Sequence, residues 1–157
     1  AFRKYPKWVI GYSDITVLHS HLHNLGYETL HAMMPVNMEF REEERKESVA
    51  SLKKALFGEK ITHAFARSPH NRKGRVSGVL VGGNLTLLES LLGTDSEVLT
   101  DGKILFLEEI GEYKYHIDRQ LQSLKRAGYF KSCAGVIIGD MSQIKTNDPN
   151  WGQRIEA

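Results

Sequence analysis

What most limits the fold of this chain is an order that recurs along it: a short apolar run, a glycine or polar turn, then an amphipathic helical stripe. Residues 8–12 are apolar and end on Gly11-Tyr12. Ser13 and Asp14 follow, and Ile15, Val17, Leu18, Leu22 and Leu25 then fall at approximately helical spacing until Gly26 closes the stripe. Residues 28–32 supply a second candidate strand. Strand, helix, strand in that order is the unit of a parallel sheet, whose neighbouring strands need a crossover between them. In the second half, residues 78–81 read as a strand, Gly82-Gly83-Asn84 as a tight turn, and residues 85–92 as a helix that Gly93 terminates. Residues 103–107 read as a strand leading into Glu108-Glu109. Ile117, Leu121 and Leu124 mark an amphipathic helix stopped by Gly128, and residues 134–138 read as another buried strand ending in Gly139-Asp140.

Between the halves the pattern changes. Residues 41–47 carry charges of both signs, followed by Val49, Leu52 and Leu56 at helical spacing, which predicts a solvated helix with one buried edge. Residues 68–74 are polar and turn-rich, the best linker in the chain. Residues 151–157 read as the opening of a helix. With no initiator Met and a strand pattern almost at the start, both ends are expected to have been cut from a longer protein.

Composition narrows the function classes. Hydrophobic residues make up 41% and charged residues 25% of 157, as in a folded globular protein. The balance of 21 Lys+Arg against 19 Asp+Glu leaves +2, too even for a nucleic-acid surface. The single Cys133 excludes an internal disulfide framework and a multi-cysteine zinc site, which fits a reducing compartment. No apolar run reaches the ~20 residues that span a bilayer, and residues 1–7 lack a signal-peptide core.

Three places could carry chemistry. Ser13 lies directly after an apolar strand and directly before a helix, on a sharp turn that exposes its hydroxyl and aims the following N–H groups at whatever binds there. Nucleophile elbows are built this way, although Gly-x-Ser-x-Gly itself is not matched. Capping of the helix that starts at Asp14 is the ordinary alternative for such a serine. Glu108 and Glu109 close a strand, where open α/β sheets place ligands, and alternation must turn one of them inward and the other outward. An ordinary polar strand exit is the alternative there. Gly82-Gly83-Asn84 can present N–H groups to an anion or can simply make a tight turn. His19, His21 and His23 invite a metal, but only His19 and His23 share a helical face, and Ser20 stands where a metalloprotease helix needs Glu. A solvated helix face is expected, with no metal and no cofactor.

Taken together, these segments resemble the LD-carboxypeptidase family of serine peptidases, which also contains the microcin-immunity peptidases. The matching stretches are Pro6-Lys7 through Gly11-Tyr12-Ser13-Asp14-Ile15-Thr16, Thr29-Leu30-His31, Gly82-Gly83-Asn84-Leu85, Ile104-Leu105-Phe106-Leu107-Glu108-Glu109, Tyr115-His116-Ile117-Asp118-Arg119, and Gly135-Val136-Ile137-Ile138-Gly139-Asp140. Their order and spacing agree across nearly the whole chain.

The resemblance implies Ser13 as nucleophile and Glu108 as its triad carboxylate, with Glu109 where the family often has Asp. It implies the Asp14 N–H as an oxyanion donor, with Gly83 and Asn84 in oxyanion or substrate binding. A histidine further toward the C-terminus would complete a Ser–His–Glu triad. No residue here matches it, since His116 belongs to the Tyr115–Arg119 segment, and the family's upstream Gly-rich loop is also absent. The chain by itself is therefore expected to be inactive. His31-Ala32-Met33-Met34-Pro35 departs from the family's usual His-Gly-Pro-Met.

The implied fold is α/β: residues 1–40 as the end of a flavodoxin-like parallel-sheet N-terminal domain, residues 41–74 as a helical connection and linker, and residues 75–157 as a second, mixed α/β domain incomplete at its end. The implied reaction is hydrolysis of an L,D amide bond, releasing a terminal D-amino acid from a murein tetrapeptide in a bacterial cytoplasm. No nucleic-acid or membrane partner is implied, and a homodimer is compatible. A microcin-immunity peptidase acting on a peptidyl-nucleotide is the alternative within the family. Ile110-Gly111-Glu112, lacking the basic residue of that branch, favours the cell-wall substrate. A non-catalytic ligand-binding α/β module is the alternative outside it.

Overall fold

A computed structural model describes residues 2–39 and 41–146. Two parallel sheets carry the chain. In the first, β1 (Ile10–Gly11) pairs with β2 (Leu30–His31), and α1 (Thr16–Asn24) makes the crossover between them. The second contains β3 (Leu80–Asn84), β4 (Ile104–Ile110) and β5 (Gly135–Ser142) in that spatial order, all parallel. The crossovers are α3 (Leu85–Ser90) and α4 (Lys114–Arg126). The sequence therefore yields the parallel α/β architecture expected from its alternating runs, and α1 packs against β3 to join the two sheets.

The core lies on one face of the second sheet. Val81 of β3 and Leu105 and Leu107 of β4 meet Leu85 and Leu88 of α3 and Ile117 and Leu124 of α4, with Val98 and Tyr129 closing the sides. Alternation explains the choice: Leu105, Leu107 and Glu109 point into this core, whereas Ile104, Phe106 and Glu108 point to the opposite face. One extra residue of β5 is inserted opposite Glu108, because Leu107 pairs with Ile138 while Glu109 pairs with Met141. A bulge at this point bends the ladder beside the carboxylate.

Several elements differ from expectation, each for a physical reason. Gly82-Gly83-Asn84 is no turn but the end of β3, paired with Phe106, Leu107 and Glu108. A Cβ on Gly82 would lie 2.0 Å from the Phe106 carbonyl oxygen, so the glycine permits a backbone approach that no other residue could make. Strand β4 runs on through Glu108 and Glu109 to Ile110, since the Glu109 side chain is satisfied inside the protein. Of residues 134–138, expected to be buried, 135–138 belong to β5, the edge of the sheet among the described residues, and Val136, Ile137 and Ile138 are all exposed. Residues 8–12 contribute only two residues to a strand, and Trp8 is 47% exposed.

The connecting region forms α2 (Glu42–Leu56), followed by residues 57–79 without helix or strand. The helix expected to open at residues 151–157 lies outside the described residues. Among the described residues no helix is long and apolar enough to cross a membrane.

Candidate active site

Ser13 has φ +57°, one of two non-glycine residues in the left-handed region among those described. Holding an L-residue there costs about 1–3 kcal/mol and persists only where the surroundings impose it. Here they do. Gly11 ends β1, a single 3-10 turn covers Ser13–Ile15, and the Ile15 N–H donates back to the Tyr12 carbonyl at 3.2 Å. A Cβ on Gly11 would stand 2.6 Å from Ile15 Cγ1, so the chain closes this tightly only with glycine two residues before the serine. Tyr12, in extended conformation, occupies the capping position of the turn, so the reading of Ser13 as an ordinary N-cap does not describe its place. Asn37, in a 3-10 turn over Pro35–Glu39, donates to the Tyr12 hydroxyl at 3.0 Å and ties the segment after β2 to the same turn.

From this turn the contacts lead directly to the carboxylates. Residues 13–15 lie against β3. The next residue, Thr16, is fully buried, and its Oγ1 accepts the Asn84 N–H at 3.1 Å. Asn84 is paired in register with Glu108 across the ladder.

Glu109 is 3% exposed and accepts four hydrogen bonds: Asn84 Nδ2 at 3.0 Å, Thr86 N at 3.0 Å, Thr86 Oγ1 at 2.6 Å and Ile110 N at 2.9 Å. It is a structural anchor joining β4 to the start of α3. Glu108, on the other face, has a buried Oε1 without a hydrogen-bond partner among the described residues. Burial pushes its carboxyl above the ordinary range, and the charges of Glu109 and Asp140 push the same way, while the nearby Asn84 amide opposes them. A partly buried, raised carboxyl with a free acceptor is poised to receive a donor.

The strand alternation thus separates the two glutamates by role, with Glu108 on the face away from the core. Gly83, at φ +149°, has Thr16 Oγ1 2.6 Å from where its Cβ would be, so it lets α1 approach β3. Asn84 spends its side chain internally: Oδ1 accepts the Leu87 N–H at 3.1 Å as the cap of α3, and Nδ2 goes to Glu109. Asp14 lies on the exposed side of the turn.

The histidines divide. His19, expected on a solvated face, is buried instead, because Nδ1 bonds Thr29 Oγ1 at 2.8 Å and Nε2 bonds the Gly11 carbonyl at 3.0 Å. It holds α1 to β1 and to the approach of β2. His21 bonds Ser96 Oγ at 3.0 Å, and His116 Nδ1 is 2.7 Å from Glu112 Oε2. The His31 ring stands edge-on to Phe106 and is pushed down to about 4, by burial first and by His19 second. His19, His23, His31, Val81, Gly82 and Phe106 help to line a cavity of about 390 Å³, which opens beside the start of β3 and includes neither Ser13 nor Glu108. Thr16 and Asn37 were missed as supports of the site, while Glu109, singled out beside Glu108, proves to be a buried anchor. Nothing in the local pattern marks Thr16, whose partner lies 68 residues away.

By fold and by the geometry of the serine turn, the chain falls in the class of parallel α/β proteins whose ligand sites form at the carboxyl ends of strands. Comparison narrows the class. Residues 77–157 match the LD-carboxypeptidase C-terminal domain and residues 1–32 the LD-carboxypeptidase N-terminal domain. The chain belongs to the LD-carboxypeptidase family. A probable murein peptide carboxypeptidase of Bacillus subtilis is 41% identical over 141 residues, covering 88% of this chain and 44% of the relative. The muramoyltetrapeptide carboxypeptidase of Oxalobacter formigenes superposes with a TM-score of 0.83 at 27% identity, covering 93% of this chain and 50% of that one. A microcin self-immunity protein shares the fold, with a TM-score of 0.79 at 21% identity over 92% of this chain and 52% of its own. The chain spans about half the length of the curated relatives it matches.

Proposed function

We propose that the protein carrying this chain is a serine-type LD-carboxypeptidase that releases the terminal D-amino acid from a murein tetrapeptide in the bacterial cytoplasm, with Ser13 as nucleophile and Glu108 as triad carboxylate. The observation that carries the reading is the left-handed Ser13 between β1 and α1, a strained conformation that a mere helix start does not need. Residues 1–40 then end a nucleophile-bearing domain, residues 41–74 connect, and residues 75–157 bring the carboxylate from a second domain.

In this mechanism Ser13 Oγ attacks the carbonyl of the L,D amide. A base accepts its proton and passes it to the departing amine of the D-residue, and water then hydrolyses the acyl-serine. Developing negative charge on the carbonyl oxygen is met by the Asp14 N–H, with Gly83 and Asn84 shaping the adjacent strand end. Glu108 Oε1 accepts the N–H of the imidazole base and stabilises its positive charge. The family's triad histidine, which no residue here matches, would supply that imidazole. Of the histidines present, His116 is engaged by Glu112, and burial first and His19 second hold His31 down to about 4. The murein substrate is favoured over a peptidyl-nucleotide because Ile110-Gly111-Glu112 offers no cation after the glutamate.

The test is D-alanine release from an L-Lys- or diaminopimelate-containing tetrapeptide by the complete gene product, its Ser13→Ala variant and this chain alone. Release by the complete product, lost in the variant and absent from the chain alone, supports the mechanism. Full release by Ser13→Ala refutes it and favours a different site or a binding module.

A further inference from the structure

The hydroxyl of Thr16 stands where the helix that follows the serine turn meets the end of β3. We propose that Thr16 and Asn84 form a clasp that fixes the Ser13 turn against the strand end bearing Glu108, making Thr16 a positioning residue for the hydrolysis; this rests on the reading of Ser13 as nucleophile. Four observations converge on it. Thr16 is fully buried, yet it is the first residue of α1, where a threonine would ordinarily face solvent. Its Oγ1 accepts a backbone N–H from another sheet, 68 residues away, at 3.1 Å. Gly83 lacks the Cβ that would stand 2.6 Å from that oxygen, so strand and helix are shaped for this contact. Asn84 is itself immobilised, since its Oδ1 caps α3 and its Nδ2 is held by the buried Glu109.

The consequence is mechanical. Ser13 lies three residues before Thr16, in a turn whose left-handed residue relaxes unless both ends are held. Gly11 and Ile15 hold one end by contact, and Thr16 holds the other by hydrogen bond. Asn84 faces Glu108 across the ladder, so the same clasp sets the spacing between the turn and the carboxylate. Without the hydroxyl the Asn84 N–H is left buried and unpaired, and α1 shifts relative to β3. A displacement on the order of 1 Å of a reacting group can cost about a hundredfold in rate.

The experiment compares Thr16→Ser with Thr16→Ala in the complete gene product. The two differ by one oxygen and share the loss of the methyl group, so packing is matched. Turnover of the tetrapeptide is measured at a temperature well below the melting point of each variant, with the folded fraction measured by circular dichroism. The expected result is that Thr16→Ala loses about ten- to a hundredfold in kcat with KM within about twofold, and that Thr16→Ser recovers most of kcat. Equal kcat in both variants per folded molecule, with Ser13→Ala inactive, overturns the clasp and leaves the nucleophile in place. Activity in Ser13→Ala overturns the nucleophile and the clasp together. If Thr16→Ala does not fold, Thr16→Val supplies the hydroxyl-free partner at the original volume and is read in the same way.

Discussion

Glu109→Gln is the substitution for which the structure gives the most determined answer. The two side chains have almost the same shape, so the change tests hydrogen-bond direction and charge with little change in volume. Glu109 Oε2 accepts from Thr86 N and Thr86 Oγ1, and Oε1 from Asn84 Nδ2 and Ile110 N. A glutamine keeps one oxygen and puts an NH₂ at the other position. The orientation with the NH₂ toward Thr86 is partly rescued. Thr86 Oγ1 has a second lone pair to accept from that NH₂, and turning the Gln120 amide, whose buried Oε1 has no partner among the described residues, offers the Thr86 hydroxyl a new acceptor. Asn84 cannot reverse its amide, because Oδ1 accepts from Leu87 N. The backbone N–H groups of Thr86 and Ile110 have no choice.

With the NH₂ toward Asn84 and Ile110 two donors face a donor, whereas with it toward Thr86 only the Thr86 N–H does, so the variant takes the second orientation in a site 3% exposed. At about 1–3 kcal/mol for a buried group left unsatisfied, the loss is about 1–3 kcal/mol. For a chain of this size that corresponds to a fall in melting temperature on the order of 2–12 °C. Urea unfolding of this 157-residue chain, followed by circular dichroism with an unchanged slope, is the assay. A loss below about 0.5 kcal/mol would refute the reasoning, because it would mean that the four contacts are replaceable by water or by a shift of α3.

Gly11→Ala is expected to destabilise the chain by about 1–3 kcal/mol, since the new methyl meets Ile15 Cγ1 at 2.6 Å, and adding Ile15→Ala to remove that atom should recover part of the loss in the same urea assay. Recovery failing in the double variant would place the cost in the backbone instead. Glu108→Gln should stabilise the fold near pH 7, because burial first, then Glu109 and Asp140, raise this carboxyl above its unfolded value of 4.5. A raised carboxyl contributes stability that is present below the unfolded value and is lost as pH rises through the folded one. The advantage of the variant should therefore shrink as pH falls toward 4.5, and urea midpoints independent of pH in the difference would count against it.

How far the sequence discloses this site depends on how far apart in the chain the decisive partners lie. The strand, helix, strand order is visible because each apolar run ends at a residue that breaks it, such as Gly26 or Gly128, and such signals are local. The serine turn is half visible for the same reason: Gly11, Ser13 and the helical stripe after Ile15 lie together, although both a cap and an elbow fit them. What bears on the choice is the left-handed φ of Ser13, set where Gly11 meets Ile15 and Thr16 meets β3.

Alternation says that Glu108 and Glu109 face opposite ways, but the buried face is set by α3 and α4, which sequence spacing alone does not place. Gly82 and Gly83 look like a turn because glycines usually make one. They remain in strand β3 because the Phe106 carbonyl and Thr16 approach where their side chains would be. The exposure of Val136, Ile137 and Ile138 was hidden for a related reason: a parallel run of apolar residues reads as central, and only the spatial order of the sheet makes β5 its edge. Among the described residues β5 has β4 on one side only, so its apolar run lacks the second neighbour that a buried central strand would have.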